Sequence, residues 1–157
     1  MWRGLFLAIV TLLSAVRLAV AGPLLGDDLG ACLNRQTEAK ARIDACERVL
    51  AAGQATGKDL SIALAIHGNA LTARRDYDKA IAAYTDALKS DPDNAAILDA
   101  RGIAYERKGQ DDSAIADYDL ALQKRPNFAA PYNNRGTVHL RRGELQSALD
   151  DLSAAIK

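Results

Sequence analysis

The chain has 157 residues, 49% of them apolar and 25% charged, which suits one folded domain and argues against disorder. Twenty basic residues balance twenty acidic ones without forming runs, so the basic stripe expected of a nucleic-acid binder is missing. Aromatics make up 5%, and Trp2 and Met1 sit at the extreme N-terminus, so the core has to be built from Ala, Leu and Ile, with Tyr as its larger pieces. Small side chains let elements approach closely, which favours helices packed on helices over sheets. The composition predicts an all-α domain.

The first residues read as a targeting segment. Arg3 gives a positive start, residues 5–13 are apolar apart from Thr11, and Ala19-Val20-Ala21 supplies the small-x-small pattern read by signal peptidase. Residues 1–21 are therefore expected to be a signal peptide cleaved ahead of Gly22, with retention as a membrane anchor as the alternative. Arg17 breaks the run short of the ~20 apolar residues a spanning helix needs. Cys32 follows Asp27-Asp28 rather than the apolar run, so a lipid anchor there is not expected.

Export changes the meaning of Cys32 and Cys46, the two cysteines of the chain. An even count in an oxidising compartment favours a disulfide, the alternative being two buried thiols. On one straight helix, 14 positions would hold them about 21 Å apart, so the chain has to turn between them. Thr37-Glu38 offers the start of a second helix, antiparallel to a short first one. Closing such a loop contributes about 3 kcal/mol in the chain-entropy account. No CxxC or HxxxH spacing accompanies the pair, so no metal site and no cofactor is expected.

The dominant pattern is a repeat of 34 residues. It relates Gly68, Gly102 and Gly136; Ala80, Ala114 and Ala148; Ala87, Ala121 and Ala155; Tyr84, Tyr118 and Leu152; and Leu64, Leu98 and Tyr132. Pro92 and Pro126 close the first two units. Leu98, Arg101, Gly102 and Tyr105 mark one face of a first helix, and Ala114, Tyr118 and Ala121 one face of a second. Gly102 and Ala114 omit bulk where the helices of a hairpin cross, beside Tyr105 and Tyr118. Asn94 and Asn127 are expected to cap first helices, and Pro131 falls harmlessly in a first turn. Arg75 stands where the other units have Gly109 and Gly143, which predicts strain in that turn.

This period and order of residues resemble the tetratricopeptide repeat (TPR) family. The resemblance implies an α-solenoid of helix-turn-helix repeats at 61–94, 95–128 and 129–157, the last one truncated. Residues 22–60 do not fit the pattern and are expected to form a Cys-containing helical hairpin capping the first repeat, similar to the leader of some exported bacterial members. The stretch Gly53 to Asp59 has the wrong glycine spacing for a phosphate loop and reads as a helix end and linker.

Catalysis finds little support. His67 and His139 fall on inward faces and far apart in sequence, no serine sits in a nucleophile elbow, and Asp86, Asp117, Asp119, Asp150 and Asp151 are expected on the solvated outer faces of second helices. The chain is expected not to be an enzyme. The resemblance instead implies a concave surface lined by first helices, with Asn69, Thr72, Asp99, Glu106, Arg107, Asn133, Thr137 and Arg141 as candidate contacts for a peptide or protein segment. In some members a clamp of Lys, Asn, Asn, Lys and Arg holds a C-terminal carboxylate. Here those positions are Ala65, Asn69, Ala100, Ala130 and Asn134, and only Asn69 matches, so that mode is not expected.

The expected function is a non-enzymatic scaffold, periplasmic or secreted, binding a peptide or protein but no nucleic acid, and meeting a membrane only if the N-terminal segment is kept. The alternative is a self-assembling envelope protein. Leu145, Leu149, Leu152 and Ile156 form one apolar stripe on the last helix, expected over 144–157, which suggests a weak homodimer or an end-on partner.

Overall fold

A computed structural model of the chain describes residues 24–53 and 55–156, so the expected signal peptide lies outside the described residues. Eight helices follow one another in that span: α1 (Leu24–Leu33), α2 (Ala39–Ala52), α3 (Gly57–Ala73), α4 (Tyr77–Ser90), α5 (Ala95–Arg107), α6 (Asp111–Lys124), α7 (Ala129–Arg142) and α8 (Leu145–Ala155). Each helix packs on the next, and α3, α5 and α7 also touch in turn. The fold is an all-α solenoid of helical hairpins.

Side-chain caps explain two of the helix starts. Glu38 accepts a hydrogen bond from the Ala41 N–H at 2.9 Å and starts α2, while Gly53 ends it in the left-handed conformation at φ 64°. Asn94 accepts from the Ile97 N–H at 3.2 Å and starts α5. Asn127 does not play that part for α7, where Phe128 stands at the cap without a side-chain hydrogen bond. The final helix is shorter than its sequence pattern, because Glu144 is its cap and not its first turn. Arg75 takes φ 63°, a backbone conformation that costs a residue with a Cβ about 1–2 kcal/mol, where the later turns use Gly109 and Gly143.

Close approach sets the geometry of each hairpin. A Cβ added to Gly102 would lie 2.6 Å from Cε1 of Tyr118, and one added to Gly68 would lie 2.7 Å from Cε1 of Tyr84. Both rings are fully buried, so each hairpin closes on a glycine that leaves room for a tyrosine face. In the third hairpin Leu152 replaces the ring and meets the Gly136 position at 3.1 Å.

Between hairpins, Arg101 and Arg135 act as staples. Arg101 donates to both carboxylate oxygens of Asp117, at 2.8 and 2.7 Å, and through Nη1 to Thr85 on the preceding hairpin at 3.1 Å. Arg135 repeats the arrangement one unit later, donating from Nε to Asp151 at 2.8 Å and from Nη1 to Asp119. Asp117 and Asp151 are thus buried and paired, not solvated as their sequence context suggests. Asp119 is half exposed on the same arginine, while Asp86 pairs at the surface with Lys89. His139 contacts Glu144 and lies 3.8 Å from Asp151.

At the other end, Cys32 and Cys46 lie at disulfide distance, their Cα atoms 4.8 Å apart. With Ala45, Val49, Ala55, Ala63 and Ile66 they form the apolar cluster joining α1 and α2 to α3.

Truncating Arg101 to Ala strands a carboxylate that is 5% exposed, and should cost about 3–5 kcal/mol in urea denaturation. Replacing both partners, Arg101→Met with Asp117→Leu, should recover most of that loss. A single substitution as mild as the double one would contradict the staple.

Candidate functional site

The candidate surface is carried by α3, α5 and α7, and it is braced from behind by the second helix of each hairpin. The buried Tyr84 ring passes over Gly68, and its hydroxyl donates to Oδ1 of Asn69 at 2.7 Å and stands 3.3 Å from the Thr72 hydroxyl. The equivalent Tyr118 donates to Glu106 at 3.0 Å. Burial raises both phenols above their usual range, with the Glu106 carboxylate adding to the effect at Tyr118, so both hydroxyls remain donors. Leu152 offers no hydroxyl to the third hairpin, and there Thr137 folds back onto the Asn133 carbonyl at 2.9 Å.

Three of the expected contact residues, Asp99, Glu106 and Arg141, are held in fixed polar contacts. Arg141 reaches Glu106 at 3.1 Å and Asp111 at 2.6 Å, tying α7 to both helices of the second hairpin. Asp99, expected to line the groove, is 8% exposed and accepts from Nδ2 of Asn134 at 2.9 Å. Its neighbours on α5 and α7 close over it, which the sequence pattern does not reveal. Thr72 is half-buried against Tyr84. Asn69, Arg107, Asn133 and Thr137 are exposed, together with the apolar Ile62 and Leu140. Arg107 makes no ion pair among the described residues.

Of the carboxylate-clamp positions, Asn69 has its Oδ1 occupied by Tyr84 and Asn134 is spent on Asp99. Among the described residues no cluster of three or more His, Cys, Asp or Glu could hold a metal ion, and no helix is long and apolar enough to cross a membrane.

A smaller feature opens where α3 meets α2. Ala39, Arg42 and Ile43 face Ile66, Ala70 and Ala73 across a pocket of about 230 Å³, with Asn69 at its edge. Sequence reasoning misses it, because it depends on where α1 ends.

Burial pushes the Asp99 carboxyl above its usual range, and the Asn134 hydrogen bond opposes this only in part. A carboxyl with a raised folded-state pKa favours the folded state at low pH, and that contribution is lost as the pH climbs from the ordinary Asp value, about 3.9, through the raised one. Asp99→Asn should therefore raise stability at pH 7 and change it little at about pH 3. Urea denaturation at the two pH values checks this, and an equal effect at both would contradict it.

The comparisons with known proteins agree with this architecture. A family described as tetratricopeptide repeat matches residues 67–133. No curated protein matches the chain. Among solved structures, the first TPR of Spaghetti (RPAP3) bound to the HSP90 peptide SRMEEVD is 26% identical, with a TM-score of 0.62 over 64% of this chain and 80% of that one. The Sgt2 TPR domain from Aspergillus fumigatus is 31% identical, with a TM-score of 0.62 over 64% of this chain and 67% of that one. The TPR2B domain of yeast Sti1, solved in a complex with pHsp70, is 30% identical, with a TM-score of 0.59 over 60% of this chain and 76% of that one. The repeat of 34, the glycine–tyrosine hairpins and these likenesses together place the chain in the tetratricopeptide repeat family.

Proposed function

We propose that the chain is an exported, non-enzymatic scaffold that holds a peptide or protein segment against α3, α5 and α7. The observation that carries this reading is the row of exposed hydrogen-bonding and charged groups on successive first helices, Asn69 on α3, Arg107 on α5, and Asn133 and Thr137 on α7. Amides and a guanidinium at such spacing suit an extended backbone, whose N–H and C=O groups need partners along their whole length. Similar repeats in Spaghetti (RPAP3) and Sti1 are solved with the HSP90 peptide SRMEEVD and in a pHsp70 complex. The clamp positions differ here, so the segment is held in another way than by its terminal carboxylate.

Export rests on Ala19-Val20-Ala21 and is supported by the close pair Cys32 and Cys46, a disulfide in an oxidising compartment. We assign the protein to the periplasm or the exterior, beginning at Gly22.

A second reading, self-assembly, is favoured by α8, where Leu145 and Leu149 are 69% and 60% exposed and Ile156 follows at 87%. Burying such side chains in a second copy would contribute several kcal/mol, at roughly 25 cal/mol per Å² of apolar surface.

The groove reading is tested with the double variant Arg107→Glu, Asn133→Ala, because both side chains are exposed and neither braces the fold. Capture of partner segments from an envelope extract should fall at least tenfold with the helical circular dichroism unchanged. Retained capture would overturn the groove. A single mass across a hundredfold concentration range in light scattering would exclude the second reading, and intact mass beginning at Trp2 instead of Gly22 would exclude cleavage.

A further inference from the structure

The leader hairpin does more than cover α3. α1 ends at Leu33, whereas the residue one period before Ala73, the end of α3, is Ala39, already inside α2. The first helix of this hairpin is therefore several residues too short to shield the C-terminal half of α3. What it leaves open is the pocket between α2 and α3, floored by Ile66 and Ala70 and walled by Ala39, Ile43 and Ala73. At about 230 Å³ it falls below the roughly 300–1,000 Å³ of small-molecule sites, and it has room for one large side chain. Asn69 belongs both to this pocket and to the row of groove residues, so the two surfaces are continuous.

The surroundings of the pocket are cationic. Arg42 lines it and is fixed in place by its Nε, which donates to the Cys32 carbonyl at 2.9 Å. Arg74 and Arg75 follow Ala73 directly in the α3–α4 turn and are exposed. The Lys40 hydrogen bond holds the Asp44 carboxyl below its usual range, and the fields of Arg48 and Arg74 act the same way. None of Arg42, Arg74 and Arg75 has a carboxylate partner among the described residues. The nearby acids are already engaged: Glu38 caps α2, Asp44 binds Lys40 at 2.7 Å, and Asp76 binds Lys79 at 2.7 Å. By contrast Arg101, Arg135, Arg141 and Arg142 all have carboxylates of their own.

We propose that this pocket is the anchoring subsite for an acidic peptide segment, which inserts one large apolar side chain between α2 and α3 while flanking carboxylates meet Arg42, Arg74 and Arg75. The inference rests on the groove reading above and names the chemistry of its ligand. The apolar side chain supplies burial, and the guanidiniums supply complementarity, faster association and rejection of basic segments. The segment then continues from Asn69 along the groove.

A phage-displayed library of random dodecapeptides, panned on the chain purified without reductant, tests this. Enriched peptides should combine Asp or Glu with a single Leu, Ile, Phe or Met, and their affinity should fall as salt is raised. In fluorescence anisotropy, Ala73→Phe, which fills the mouth of the pocket, and Arg74→Glu should each weaken the synthesised peptide at least tenfold. Both positions are exposed, so the fold should be kept, and circular dichroism checks it. Neutral or basic consensus peptides would overturn the proposal, as would binding untouched by either substitution. Peptides weakened by Arg107→Glu, Asn133→Ala but not by Ala73→Phe would leave the groove reading standing and remove the anchor. Peptides with the opposite sensitivity would keep the anchor and remove the groove. No enrichment at all would overturn both.

Discussion

The solenoid depends on a half-buried guanidinium that ties three helices together. Arg101 and Arg135 each hold a carboxylate on the second helix of their own hairpin and an oxygen on the second helix of the hairpin before. The apolar contacts around them are mostly alanines: Ala80, Ala87, Ala114, Ala121 and Ala148 are fully buried, and each contributes little area. Small side chains permit close approach without saying how far one hairpin rotates on the next. A planar fork with carboxylate on one side and a hydroxyl or carboxylate on the other fixes that rotation, because its donors are directional. A well-packed apolar pair of equal volume could match the stability. What the arginine contributes is orientation.

The first hairpin of the repeat region follows the same plan with different parts. His67 takes the place of the arginine, and Ala51 and Ala83 take the places of its two partners. Its Nδ1 has no hydrogen-bond partner, and Glu47 lies 3.6 Å away. The joint between α2 and α3 is held by apolar packing around the paired cysteines instead of by charge. No arginine fork sets the rotation here, the first helix stops at Leu33, and a gap lies beside Ile66 and Ala70.

Much of this was legible in the sequence, and the reasons are specific. Spacing by 34 exposed the hairpins, and Gly102 in a helix had to have a packing cause, which the Tyr118 ring supplies. Arg75 against Gly109 and Gly143 marked a strained turn, and the structure gives the cause as a left-handed residue there. The buried acids were not read, because each Asp was weighed alone as a solvated charge on an outer face. The available signal was joint recurrence: Arg101 with Asp117 and Arg135 with Asp151 keep the same separation one period apart, which independent surface charges have no reason to do. Asp99 and Arg141 were read as contacts for a partner, since a pattern places residues on a face without showing which neighbours on that face consume them. The pocket depends on the length of a helix outside the repeat, where no period applies.

The tyrosines connect these levels. A ring that must lie on a glycine to close the hairpin is long enough for its hydroxyl to emerge at the groove, so the residue that sets helix spacing also fixes Asn69 in the first hairpin and Glu106 in the second. With Oδ1 of Asn69 held by Tyr84, its amide nitrogen is left to donate in a fixed orientation, and an incoming backbone meets a donor whose rotamer entropy has already been lost on folding. Glu106 shows the reverse outcome. Held by Tyr118 and neutralised by Arg141, it no longer repels acidic segments. The same brace therefore makes one groove residue available and silences another, and the difference follows from whether the side chain it meets has a donor to spare.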